Sequence, residues 1–174
     1  MLLSVSGITF SKLEEIKKTE IQGDMPPVHV VYRENEQSSA VGLKPGDFEE
    51  AGASIVNESN KSVYVRVLLQ IPEMEGVPVF KVGKIIKNQF VTAVFNGMEK
   101  LQEEEYWEKS GDYLYYRNSK TEDLLKPGKE TAPVYEAVMV NKDIPKEISV
   151  SAEQSIVIVA EFSETSWTET EAKA

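Results

Sequence analysis

Leu43-Lys44-Pro45-Gly46-Asp47 and Leu125-Lys126-Pro127-Gly128-Lys129 are one phrase written twice in the same chain. Each copy passes through a Glu-containing stretch into apolar residues and ends at an asparagine. The first does so through Ala53-Ser54-Ile55-Val56-Asn57, the second through Ala137-Val138-Met139-Val140-Asn141. Pro-Gly suits the two central positions of a type II turn, because Pro fixes φ near −65° and Gly takes the positive φ that follows. A turn feeding a strand, present in both halves, is the grammar of a β-sandwich.

The flanking segments agree. Val63, Val65, Val67 and Leu69 alternate with Tyr64, Arg66 and Leu68, the period of two that marks a half-buried strand. In Ser155 to Phe162 the residues Ile156, Ile158, Ala160 and Phe162 share a side, and the other side is apolar too, so this run is expected to be a central strand. Val28 to Tyr32, Tyr113 to Tyr116, Val134 to Val140 and Ile148 to Val150 complete a set of short strands. The expected fold is all-β, a jelly-roll-like antiparallel sandwich with at most a short helix near Met98 to Trp107. Residues 1–22 read as an N-terminal segment, 23–162 as the sandwich, and 163–174 as a flexible acidic tail. Ser11 to Ile21 is open between helix and strand.

Composition removes several functions. The 174 residues suit one domain able to bury roughly two-thirds of its unfolded surface. A net charge of −10 opposes nucleic acid and anionic lipid. No apolar run approaches the ~20 residues of a membrane helix. There is no cysteine and one histidine, His29, so neither a thiolate zinc site nor a His-Glu-x-x-His helix exists. His29 in Val28-His29-Val30 reads as a strand residue. Glu103-Glu104-Glu105 and Glu49-Glu50 lack the spacing of a calcium loop and read as solvated acidic surface. No catalytic residue, metal ligand or cofactor is assigned, and an enzyme is not expected.

Taken in order, Leu43-Lys44-Pro45-Gly46-Asp47, Val56-Asn57-Glu58-Ser59, Val63-Tyr64-Val65-Arg66-Val67, Trp107, Gly111-Asp112-Tyr113-Leu114-Tyr115-Tyr116, Leu125-Lys126-Pro127-Gly128 and Ile148-Ser149-Val150-Ser151-Ala152-Glu153 resemble the TasA/camelysin-like exported proteins of Gram-positive bacteria. The resemblance implies a jelly-roll-like sandwich secreted to the cell surface or biofilm matrix. It also implies self-association into fibres, with an N-terminal strand of one subunit completing the sheet of its neighbour. Gly7-Ile8-Thr9-Phe10-Ser11 would sit where such proteins are cleaved from their signal. The chain departs from the family just downstream, where Lys12-Leu13-Glu14-Glu15-Ile16-Lys17-Lys18 replaces an acidic, Thr-rich stretch. The metalloprotease label given to camelysin-like proteins does not transfer, because a catalytic zinc usually takes at least two His ligands.

Two candidate surfaces follow. Leu3, Val5, Ile8 and Phe10 alternate around Gly7 and are expected to form an edge or donor strand for homopolymer assembly. Trp107, Tyr113, Tyr115 and Tyr116 offer an alternative aromatic surface for a glycan or other ligand, as in an adhesion module. Strand geometry sends Tyr113 and Tyr115 one way and Tyr116 the other, which favours core and cross-strand packing. Arg66 is expected to pair with an acidic neighbour.

Overall fold

The computed structural model describes residues 11–12, 16–18, 28–34, 43–95, 106–117, 123–144 and 156–167. Among them every regular element is a strand. In chain order these are β1 (Ser11–Lys12), β2 (Ile16–Lys18), β3 (Val28–Glu34), β4 (Phe48–Asn57), β5 (Val63–Gln70), β6 (Glu73–Met74) and β7 (Val77–Pro78). Then follow β8 (Phe80–Ile86), β9 (Gln89–Thr92), β10 (Trp107–Ser110), β11 (Tyr113–Tyr116), β12 (Leu124–Leu125), β13 (Tyr135–Val140) and β14 (Ile156–Ser163). The helix expected near Met98 and the strand at Ile148 to Val150 lie outside the described residues, but Trp107 opens a strand.

One sheet runs β1-β14-β5-β11-β10, with β12 also on β5 and β2 also on β14; the other runs β3-β4-β13-β8-β9. The chain changes sheet between β2 and β3, β4 and β5, β5 and β8, β9 and β10, β12 and β13, and β13 and β14. Two sheets wound from alternating stretches of the chain are the all-β sandwich expected from the sequence. One detail corrects the antiparallel expectation. β1 and β2 lie parallel to β14, through Ser11↔Ile156 and Ala160↔Ile16. Strands so distant in sequence are not joined by a hairpin, so no turn dictates antiparallel pairing.

The period-two reading holds in the core. Val63, Val65 and Val67 are buried between the sheets while Tyr64, Arg66 and Leu68 face outward. Ile156, Ile158, Ala160 and Phe162 meet them from β14, which sits between β5 and the β1/β2 edge. Burial of each large apolar side chain contributes about 1.5–3 kcal/mol.

The two Pro-Gly turns form as expected. Asp47 N–H donates to Lys44 O at 2.9 Å and Lys129 N–H to Lys126 O at 3.1 Å, with φ of +95° at Gly46 and +67° at Gly128. Each turn is also stitched to the end of the strand that the other introduces. Gly46 N–H donates to Val140 O and Val140 N–H to Asp47 O, at 2.8 and 2.9 Å. Gly128 N–H donates to Asn57 O and Asn57 N–H to Lys129 O, at 2.8 and 3.0 Å. Since β4 and β13 are antiparallel neighbours, the repeated phrase becomes a local two-fold arrangement.

Both repeats close on a buried asparagine that accepts from the amide two residues on. Ser59 N–H donates to Asn57 Oδ1 at 2.9 Å and Asp143 N–H to Asn141 Oδ1 at 3.1 Å, an Asx turn in each case. Valine at either glycine should lower stability by about 1–3 kcal/mol, because a β-branched residue is strained at positive φ. Nothing lies within 4 Å of the position a Cβ would take at Gly128, so that loss comes from the backbone alone. Urea denaturation of Gly46→Val and Gly128→Val measures it, and unchanged midpoints in both would refute the shared turn.

Candidate functional site

Two features stand out on this frame, a row of charged and aromatic side chains on the outer face of the larger sheet and a seam between the sheets that no described strand fills. The row follows from register. Glu161 of β14 lies opposite Arg66 of β5, and Arg66 lies opposite Tyr115 of β11. Arg66 Nε donates to Glu161 Oε2 at 2.7 Å, and Nη1 to the Tyr115 hydroxyl at 3.3 Å. The guanidinium is stacked between two rings, 4.0 Å from the Tyr113 centroid and 4.1 Å from that of Trp167. Tyr113 donates its hydroxyl to Glu161 Oε1 at 3.3 Å.

Burial lowers the pKa of Arg66, but its bonds to Glu161 and Tyr115 and the Glu161 charge outweigh that and leave it raised. Burial, assisted by the Glu161 carboxylate against the opposing charge of Arg66, pushes the Tyr113 phenol up. The cluster therefore holds a fixed ion pair under an aromatic lid.

The four aromatics read as one ligand surface do not form one. Tyr116 and Trp107 are in the core, 5.5 Å apart, with Trp107 Nε1 donating to the carbonyls of Ala132 and Pro133 at 3.1 Å. Tyr113 and Tyr115 face outward, and the Tyr113 ring is covered by Arg66. Strand alternation separates the pairs.

Arg66 has the acidic partner expected of it, but the pair is buried rather than exposed: the side chains are 13% and 9% accessible. Glu161 is the single charged residue in Ile156-Val157-Ile158-Val159-Ala160-Glu161-Phe162, a signal that sequence reading passed over. Trp167 was missed as well, since Ser163 to Ala174 reads as a tail. Instead Ser163 closes β14 and Trp167 is buried against the sheet. An ion pair between Lys61 and Glu164 at 2.9 Å and the Ser163 Oγ–Thr165 N–H bond at 3.2 Å hold the chain that leads to it.

The seam lies between β9 and β10. Among the described residues β9 pairs only with β8, and β10 only with β11. Two apolar grooves touch both strands. One, of about 660 Å³, is lined by Leu69, Ile71, Val77, Ala93, Phe95 and Leu114, among others. The other, of about 330 Å³, runs past Val91, Phe95, Tyr106 and Trp107. Val94 is 71% exposed beside them.

The turn of the β8–β9 hairpin has positive φ at both central residues, Lys87 and Asn88 (50° and 60°), the type I′ geometry. Ala93 N–H donates inward to Val82 O at 2.9 Å. Ladder alternation then turns the Phe90 and Thr92 amides away from β8, toward the edge of β9 on which no described strand pairs.

Leu3, Val5, Ile8 and Phe10 lie outside the described residues. Their chain emerges at Ser11, beside Ile156, which is next in β14 to the Val157 that pairs with Gln70. That is the end of the sheet where Leu69 and Ile71 line the larger groove. Among the described residues no three His, Cys, Asp or Glu side chains converge as metal ligands. Compared with known protein families, characterised proteins and solved structures, the chain matches no family model, no curated sequence and no solved fold.

Proposed function

We propose that this chain is an exported, non-enzymatic structural protein of the cell surface or biofilm matrix that assembles by strand addition. The observation that carries the reading is the seam. An open strand edge beside an apolar groove takes a further strand through backbone hydrogen bonds, while alternate side chains fill the groove. Leu3, Val5, Ile8 and Phe10 supply such a strand in the sequence, and the motif order shared with TasA/camelysin-like proteins supports the same reading. Addition from one subunit to the next is a head-to-tail contact that does not close, so it propagates. The net charge of −10 keeps free subunits soluble until strands engage.

Negative-stain microscopy and sedimentation of three proteins test this: the full chain, a chain lacking residues 1–10, and Thr92→Pro. Proline at Thr92 removes an outward amide from the edge and leaves the ladder to β8 intact. The full chain should form filaments as its concentration rises. Both variants should stay monomeric with unchanged far-UV circular dichroism. A full chain that is monomeric at every concentration would sink the assembly reading, and filaments from Thr92→Pro would remove β9 from it.

A further inference from the structure

We infer that the cleft beside Trp167 is a binding site for a single neutral sugar ring. The cleft, about 220 Å³, lies on the outer face of the larger sheet and is walled by Tyr64, Tyr115 and Trp167. Glu108, Arg117 and Asp123 are among its other lining residues. It is smaller than the roughly 300–1,000 Å³ of a pocket for a drug-sized ligand, which matches one ring rather than a chain.

Its polar side is already assembled. Arg117 Nε and Nη2 donate to Glu108 Oε2 at 2.8 and 2.5 Å, and Nη1 donates to Asp123 Oδ2 at 2.8 Å. The guanidinium is thus fixed between two carboxylates, and the Glu108 side chain is only 13% accessible. Each carboxylate keeps one oxygen, Glu108 Oε1 and Asp123 Oδ1, without a hydrogen-bond partner among the described residues.

These groups select the ligand by chemistry. Two carboxylates against one guanidinium, three of whose five N–H donors are engaged by them, disfavour an anion. The unspent carboxylate oxygens require donors. The Tyr64 hydroxyl has no partner among the described residues, and the Trp167 indole N–H, also lining the cleft, is buried without one. That N–H needs an acceptor, which a small turn of the indole would bring to it. An ammonium ion only donates; a hydroxyl donates and accepts. A ring bearing several hydroxyls and an apolar C–H face meets both demands and also packs on the aromatic walls. Tyr113, covered by Arg66, takes no part.

The test is a titration of the ¹⁵N-labelled full chain with glucose, galactose, mannose and N-acetylglucosamine, with cyclohexylamine and acetate as charge controls. At least one sugar should shift the amides of Tyr64, Tyr115 and Arg117 at millimolar concentration, leaving those of Phe90 and Thr92 at the seam unmoved. Asp123→Asn, which keeps the size and place of the side chain, and Tyr64→Ala should each weaken that sugar about fivefold to tenfold. Should Tyr64→Ala fail to fold, Asp123→Asn alone decides. No shift with any sugar, a response to cyclohexylamine alone, or unchanged affinity in Asp123→Asn would overturn the assignment.

Discussion

Arg66→Ala should destabilise the protein by about 3–5 kcal/mol, the cost of leaving a buried partner uncompensated. Glu161, 7% exposed in the folded chain, would lose its one ion-pair partner among the described residues while staying packed beneath the aromatic lid. The stacking of Tyr113 and Trp167 on the guanidinium goes with it, each contact worth about 0.5–2 kcal/mol. Arg66→Met with Glu161→Met should recover most of the loss, since an apolar pair of similar bulk removes both desolvated charges.

Urea denaturation at neutral pH provides the measurement. A loss under about 1 kcal/mol would mean that the ion pair is not a structural element.

Asn57→Ala should cost about 3 kcal/mol, and more than Asn141→Ala. Asn57 is fully buried; its Nδ2 donates to Lys61 O and Leu125 O, both at 2.8 Å, and its Oδ1 accepts from Ser59 N–H and Ser59 Oγ. Alanine leaves those groups unsatisfied at about 1–3 kcal/mol for each that water cannot reach. The bond to Leu125 O also anchors the second Pro-Gly turn to β4. Asn141 performs the corresponding task with a bond to Pro78 O at 2.8 Å and one from Asp143 N–H, so about 2 kcal/mol is expected there. Equal losses, or a larger one at Asn141, would contradict the asymmetry between the two halves.

The Pro-Gly turns, the inward faces of β5 and β14, and the sandwich itself were legible in the amino-acid order. Each rests on a local cause: the fixed φ of Pro45 and Pro127, the positive φ open to Gly46 and Gly128, and a side-chain period of two. Local causes did not reach how the halves meet. That Gly128 bonds to Asn57 and Gly46 to Val140 depends on β4 and β13 becoming neighbours, a pairing made across about half of the chain. The same holds for the parallel β1 and β2, and for Glu161 finding Arg66. Tyr113, Tyr115 and Tyr116 look alike in sequence, yet tertiary packing puts one in the core, one under a guanidinium and one at a cleft. Trp167 was hidden because a polar segment with a single aromatic has no periodicity; only the outer face of the sheet, once folded, offers that indole a surface to bury.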